Sequence, residues 1–355
     1  MKILYIGPKM ENPQNGGDRI EFRNQKLLEK FSDANLLYFS PDFHYSSFYA
    51  KIALTIGLTQ KKKKELKDII NNNSFDIIFV SQSLYGGYVK LIKSICTIPV
   101  ITFFHNSEID YFIDARRKFD PRGLYYVIKV IWSEYICVKK SDAIITLNER
   151  DSNTLIKHYK RGADCILPTS FDDVSSLPNT TEPLDIDYLF VGSCFFANTE
   201  GLQWFINNVM PQIKGELYII GNGMDTFDFR NTNDHIHVIG FVKDLAEYYN
   251  RAKVVISPIF SGSGMKTETA EALMYGKTIL GTNEAFEGYV IDSTCMKLCN
   301  TADEFVTEIN KIDTIDFKET YKNAREHFKK HYSNESAYKI ISDFLLKFAS
   351  HKMHT

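Results

Sequence analysis

An excess of charge of either sign is the first thing missing from this 355-residue chain: 42 basic and 44 acidic side chains nearly cancel. That balance argues against a nucleic-acid binder, which usually carries a strongly basic domain. No apolar run reaches the roughly 20 residues that a membrane-crossing helix needs. No signal peptide opens the chain either, because Met1 runs straight into Lys2-Ile3-Leu4-Tyr5-Ile6, which reads as a strand. A soluble, cytoplasmic protein is expected, seated at most against the inner face of a membrane. The six cysteines are scattered, and only Cys295 and Cys299 are close, at a spacing that fits no common metal or redox pattern. Buried, reduced thiols are expected. No G-x-G-x-x-G follows a strand with an acidic residue about 20 positions on, which argues against a dinucleotide dehydrogenase. No Asp-x-Asp stands at a strand end; Asp185-Ile-Asp187 lies in or beside a linker. Neither a metal nor a cofactor is expected.

What is present is alternation. Apolar residues make up 44% of the chain, enough at this length for two α/β cores. Short β-rich runs at Ile3–Ile6, Ala34–Phe39, Ile77–Val80, Val100–Phe104 and Ala143–Leu147 are separated by helical patterns over Ile20–Phe31, Gly86–Ser94 and Gly123–Lys140. Residues 168–187 then carry three prolines and little apolar content, which reads as a linker. The alternation resumes with strands at Tyr188–Val191, Glu216–Ile220, His235–Val238, Val254–Ser257 and Thr278–Gly281. Helices are expected over Glu200–Val209, Leu245–Asn250 and Thr267–Tyr275. The pattern predicts an α/β fold of two Rossmann-like domains facing each other across a cleft. The first spans 1–168, the linker 169–183 and the second 184–334. A last helix, 335–355, puts Tyr338, Ile341, Phe344, Leu345 and Phe348 on one stripe, which must bury.

The most informative stretch runs from Val254 to Gly276. A strand ends at Pro258, a glycine loop follows, and a helix starts with Thr267 as the expected N-cap. Gly262 and Gly264 let the backbone approach a ligand closely. The amides of the helix start form an anion site, favoured by the helix dipole. Lys266 places a full cation where that dipole disfavours one, which suggests a bound anion; a loop that merely turns the chain is the plainer reading. Glu271 stands one turn into the helix, where a carboxylate accepts from a ribose diol or is simply solvated.

In the first half, Asn15-Gly16-Gly17-Asp18 opens a helix and offers amides to a phosphate or a hydroxyl. Arg19 and Arg23 follow, either to support an anionic acceptor or as surface charge on an amphipathic helix. Phe103-Phe-His105-Asn106-Ser-Glu108 lies at a strand end, where ligands sit in open α/β sheets. Residues 43–64 set aromatic and aliphatic side chains beside Lys61 to Lys64. That composition suits an interfacial element resting on anionic lipid, or equally a hairpin packed on the core with a solvated lysine run.

Three segments carry a family resemblance: Phe190-Val-Gly-Ser193 with Asn198 and Trp204-Phe205; Ile219-Ile-Gly-Asn-Gly223; and Gly262-Ser-Gly264 through Glu271-Ala-Leu, Gly276-Lys and Phe286-Glu-Gly288. In order and spacing they resemble the retaining GT-B-fold glycosyltransferases of family 4, the "glycosyl transferases group 1" domain. The resemblance implies a nucleotide diphosphate sugar donor, a UDP-sugar first, bound by the second domain without a metal. Gly262, Ser263, Gly264, Met265 and Lys266 would contact the diphosphate, and Gly192 and Ser193 would lie beneath it. Glu271, the second glutamate of the family's E-x7-E pattern, would hold the ribose. The backbone of Gly240-Phe241-Val242 would read the base. Gly16 and Gly17 would approach the phosphates and the acceptor. His105 would position the transferred sugar and stabilise charge beside Lys266 and Glu271, and Arg19, Arg23 and Asn106 would face the acceptor. The last helix would cross back to the first domain. The implied acceptor is a saccharide or lipid-linked saccharide, as in bacterial surface polysaccharide assembly. Two departures stand out: Ser263 replaces the pattern's first glutamate, and Glu268 replaces a frequent basic residue. They keep a partner-activating pseudo-glycosyltransferase in view; a sugar-nucleotide 2-epimerase is a further alternative with a similar fold.

Overall fold

The structure is a computed structural model that describes residues 1–13, 16–42, 55–109, 121–173, 184–262, 264–314 and 316–352. Two compact units divide the chain: Met1–Pro168 with Tyr338–Thr355, and Thr169–Ala337.

The first unit is built on a parallel sheet. In chain order it carries β1 (Ile3–Ile6), α1 (Gly16–Phe31), β2 (Leu36–Phe39), α2 (Gln60–Asn71), β3 (Ile77–Val80), α3 (Gly86–Ile95), β4 (Val100–Phe104), α4 (Pro121–Lys140), β5 (Ala143–Thr146), α5 (Glu149–Tyr159) and β6 (Cys165–Ile166). The strand order is β2-β1-β3-β4-β5-β6 and every pairing is parallel. β1, β3, β4 and β5 are buried along their whole length, which is why they appear in the sequence as unbroken apolar runs.

Three elements of this unit escape the sequence pattern. α5 is mostly polar and buries only Leu155 and Tyr159 among its apolar residues, and Asn148 caps it by accepting from the Asp151 amide. α2 buries only Leu66 and Ile70, and it starts at Thr59, whose hydroxyl accepts from the Lys62 amide. β6 is two residues long. Of the segment 43–64, residues 43–54 lie outside the described residues. Ile56 and Leu58 are buried, and Lys61 to Lys64 form the first turns of α2, where Lys62 pairs with Glu65 at 3.1 Å. Ile56 and Leu58 are therefore packed on the core, while Lys61 and Lys64 are exposed.

The second unit repeats the plan: β7 (Ile186–Val191), α6 (Phe196–Asn208), β8 (Leu217–Ile220), β9 (Ile236–Gly240), α7 (Leu245–Arg251), β10 (Ala252–Ser257), α8 (Thr267–Met274), β11 (Thr278–Gly281), β12 (Met296–Leu298), α9 (Ala302–Ile309) and α10 (Phe317–His331). Its sheet order is β12-β11-β10-β7-β8-β9, again all parallel. The order reverses between β7 and β10, and that switch point is where such sheets bind ligands, beyond the carboxyl ends of the strands. β12, three residues long, was not legible as a strand. Each unit has its own core, around Ile78 and Tyr88 in the first and around Phe205 and Phe305 in the second.

The last helix, α11 (Asn334–Lys352), starts in the second unit and belongs to the first from Tyr338 onward, with Ile341 and Leu345 buried. Of the linker, residues 169–173 are described, and they are tied down rather than loose. Phe171 exchanges backbone bonds with Tyr332 and Asn334 at 3.0 and 2.8 Å, and Asp173 pairs with Arg325 at 2.5 Å. All six cysteines are free, but only Cys137, Cys295 and Cys299 are buried; Cys194 is exposed because it lies in the loop after β7.

Candidate functional site

In the second unit the loops after β7, β8, β9, β10 and β11 gather at one edge of the sheet. Gly192 follows β7, and its amide donates to the Ile220 carbonyl at 2.9 Å. Gly221 follows β8 at φ +155, and a Cβ there would stand 1.7 Å from the Gly192 carbonyl oxygen. That backbone contact explains Gly221, whereas a Cβ on Gly192 would meet the Asn198 side chain and the Phe190 ring, each at 2.9 Å. Gly240 ends β9 at φ +78, and beside it Phe241 is 68% exposed with Val242 partly buried. Ser193 is exposed, and its carbonyl accepts from the Asn198 side chain at 2.9 Å.

The glycine loop after β10 is pinned from below by Trp204, whose ring meets that of Phe260 edge-on at 4.6 Å. Gly262 and Gly264 take φ of +126 and +69, which L side chains rarely adopt. Ser263 lies outside the described residues. Met265 is buried. The N-cap of α8 is Lys266, and Thr267 is the first helical residue, so the expected Thr267 cap is displaced by one. The Lys266 side chain does not cap. It folds back over the glycine loop, donating to the Gly264 carbonyl at 3.1 Å and pairing with Glu284 at 2.7 Å.

Two tyrosines that the sequence reading did not single out hold this helix. The Tyr289 hydroxyl donates to the Lys266 carbonyl at 2.5 Å and accepts from the Ala270 amide at 3.2 Å. The Thr269 amide bonds to the Lys266 carbonyl at 3.2 Å, with Thr267 and Glu268 ahead of it in the first turn of the helix. Glu271 is only 7% exposed, so the solvated reading fails. Tyr249 on α7 directs its hydroxyl to the Glu271 carboxylate at 3.5 Å while stacking on Tyr275 at 4.4 Å. A hollow of about 480 Å³, lined by Asp187, Lys214 and Lys253, lies at the opposite, amino-terminal edge of the same sheet and touches none of these loops.

The first unit presents a second polar cluster at the carboxyl ends of β1, β3 and β4. Tyr5 donates to Glu21 at 2.7 Å, and the other Glu21 oxygen stands 3.4 Å from Nε2 of His105. A Cβ on Gly7 would meet the Ser81 hydroxyl at 2.3 Å and Glu21 at 2.8 Å, so the cluster closes only over a glycine. His105 meets Phe103 edge-on at 5.3 Å. Its chain segment is fixed by two carboxylates that sequence reasoning missed. Asp151 accepts from the Ser107 amide at 3.3 Å, and Glu134 accepts from the Glu108 amide at 2.6 Å and the Tyr159 hydroxyl at 2.7 Å. Burial pushes the Glu134 carboxyl up to about 7.

Gly16 and Gly17 are the first residues of α1, while Asn15 lies outside the described residues. Arg19 and Asn106 are partly buried. Arg23 is not surface charge: it is 3% exposed, its guanidinium sits 5.8 Å over the Phe103 ring, and none of its three nitrogens has a hydrogen-bond partner among the described residues. Burial lowers its pKa to about 9. A heptad-like apolar stripe is what marks a buried helix face, and Arg23 falls inside that stripe beside Ile20 and Leu27.

Residues 185–313 match the family model described as glycosyl transferases group 1. No curated protein matches the chain. Among solved structures it is similar to sucrose-phosphate synthase from Thermosynechococcus elongatus, at 13% identity and a TM-score of 0.72, with 99% of this chain and 100% of that one covered. It is similar to HepE from Anabaena in complex with UDP, at 12% identity and a TM-score of 0.61, covering 98% and 100%. WaaG, a glycosyltransferase involved in lipopolysaccharide biosynthesis, shares 13% identity at a TM-score of 0.65, covering 96% and 99%. The chain has the GT-B fold of these proteins, and its residues 185–313 are a glycosyltransferase domain of group 1.

Proposed function

We propose that this protein transfers a sugar, with retention of configuration and without a metal, from a nucleotide diphosphate sugar to a saccharide or lipid-linked saccharide. The observation that carries the reading is Lys266. A lysine whose ammonium folds over a positive-φ glycine loop, beside a helix start and the β7/β10 switch point, is built to meet a diphosphate. In the transition state, charge grows on the leaving diphosphate, and Lys266 with the Thr267 and Glu268 amides would stabilise it there. Glu271, buried and oriented by Tyr249, is suited to a ribose diol. The exposed Phe241 and the backbone beside it are suited to the base.

UDP is the first nucleotide to test, since HepE was solved with it. His105, held against Glu21, is assigned to the transferred sugar, and Arg19, Arg23 and Asn106 to the acceptor. A role in surface polysaccharide assembly at the inner face of a membrane is supported by the WaaG likeness and by the Lys61–Lys64 turn on α2.

The test is calorimetric titration with UDP, GDP and their sugar conjugates, in EDTA. Micromolar binding of one nucleoside diphosphate, lost in Lys266→Ala and weakened roughly tenfold in Glu271→Ala, is the expected result. A folded chain that binds none of them would instead favour the partner-activating pseudo-glycosyltransferase.

A further inference from the structure

Lys266 already has an anion. Its ammonium is 2.7 Å from the Glu284 carboxylate, and the two side chains are only 11% and 19% exposed. Glu284 comes from the loop after β11, on the far side of β10 from β7. That loop is rigidly built. The Thr282 hydroxyl donates to the Ile259 carbonyl and accepts from the Ala285 amide, the Phe286 amide returns to the Thr282 carbonyl at 3.1 Å, and the Thr269 hydroxyl ties α8 to the Ala285 carbonyl at 3.1 Å. The carboxylate is therefore delivered to the glycine loop by design of the loop, and no rearrangement is needed to keep it there.

A carboxylate and a diphosphate cannot share one lysine without cost. Both are anions and neither donates a hydrogen bond, so Glu284 cannot bond to phosphate oxygens. What it can accept from is a hydroxyl. A ligand whose phosphate meets Lys266 and whose next group carries hydroxyls satisfies both side chains, whereas a bare diphosphate leaves Glu284 competing for the cation. Resting on the proposed donor site, we infer that Glu284 is the residue that reads the donor sugar, accepting from its hydroxyls once the diphosphate has taken Lys266. The same carboxylate returns to Lys266 when the sugar has left, and so weakens the hold on the product nucleotide. Position 263, a serine, has no carboxylate to play this part.

The experiment compares two ligands in three proteins. Calorimetry with UDP, and with the best bound of UDP-glucose, UDP-galactose and UDP-N-acetylglucosamine, is run on the unaltered chain, Glu284→Gln and Glu284→Asp. Glu284→Gln should bind UDP about tenfold more tightly while binding the sugar nucleotide no better or worse, so that the preference for the sugar nucleotide collapses. Glu284→Asp, which keeps the charge one methylene shorter, should fall between. Affinities for both ligands that shift by the same factor, or do not shift, overturn the role of Glu284 and leave the donor site standing. An unaltered chain that binds neither ligand, with GDP and its conjugates equally silent, overturns both.

Discussion

Arg23 is the residue whose environment is hardest to reconcile with stability alone. A guanidinium that is 3% exposed and makes no hydrogen bond among the described residues bears a desolvation cost that stacking over Phe103 offsets only in part. Leaving a buried polar group unsatisfied costs ~1–3 kcal/mol, and more for a charge. Arg23→Met should therefore raise the melting temperature of the first unit while weakening the acceptor, read as a higher acceptor KM. A lower melting temperature would mean that the guanidinium holds the fold instead. The one sign of this burial in the sequence was the place of Arg23 on the stripe of Ile20 and Leu27, and that sign is ambiguous, because an arginine stem can lie along an apolar face while its head reaches solvent. Lys266 was visible, since a cation at a helix start behind two glycines is a local pattern. Its partner Glu284 was not, because it lies 18 residues away and reaches the loop only through the pairing of β10 with β11.

At the scale of elements, the donor loops depend on how closely α6 approaches β10. Gly201 permits that approach: a Cβ there would stand 1.9 Å from the carbonyl oxygen of Pro258, which is backbone and cannot step aside. Gly201→Ala should destabilise the second unit by ~1–3 kcal/mol, the usual cost of overpacking. It should also weaken nucleotide binding, because Trp204 on the same helix pins the glycine loop through Phe260. Urea denaturation followed by tryptophan fluorescence measures the first effect and titration the second. The central strands were legible because burial on both faces leaves a continuous apolar run: Ile3–Ile6, Ile77–Val80, Val100–Phe104 and Thr278–Gly281 all form as the pattern predicts. α5, α2, β6 and β12 were not, because short edge strands and helices with two buried apolar positions have too little periodicity to register.

For the whole molecule, the two units carry separate cores, and the first holds a buried carboxyl that ties its stability to pH. Burial raises Glu134 in the first unit from the ordinary 4.5 to about 7, so the folded state keeps a proton that the unfolded chain has released. The stability this contributes is complete below about 4.5 and is lost as pH rises through about 7. Calorimetric scans should show the first unit weakening over that window, and Glu134→Gln should flatten the slope; an unchanged slope would assign the proton elsewhere. By itself the sequence determined the α/β class, the two-fold repetition of the pattern and the glycine loop with its lysine, because each is written in local periodicity or in residues a few positions apart. Tertiary structure alone decided the strand orders, the burial of Arg23 and Glu271, and the meeting of Lys266 with Glu284 and of His105 with Glu21. The reason is physical. Which loops share an edge follows from the order of strands in a sheet, and that order is set by the packing of whole helices and strands, not by any local run of residues.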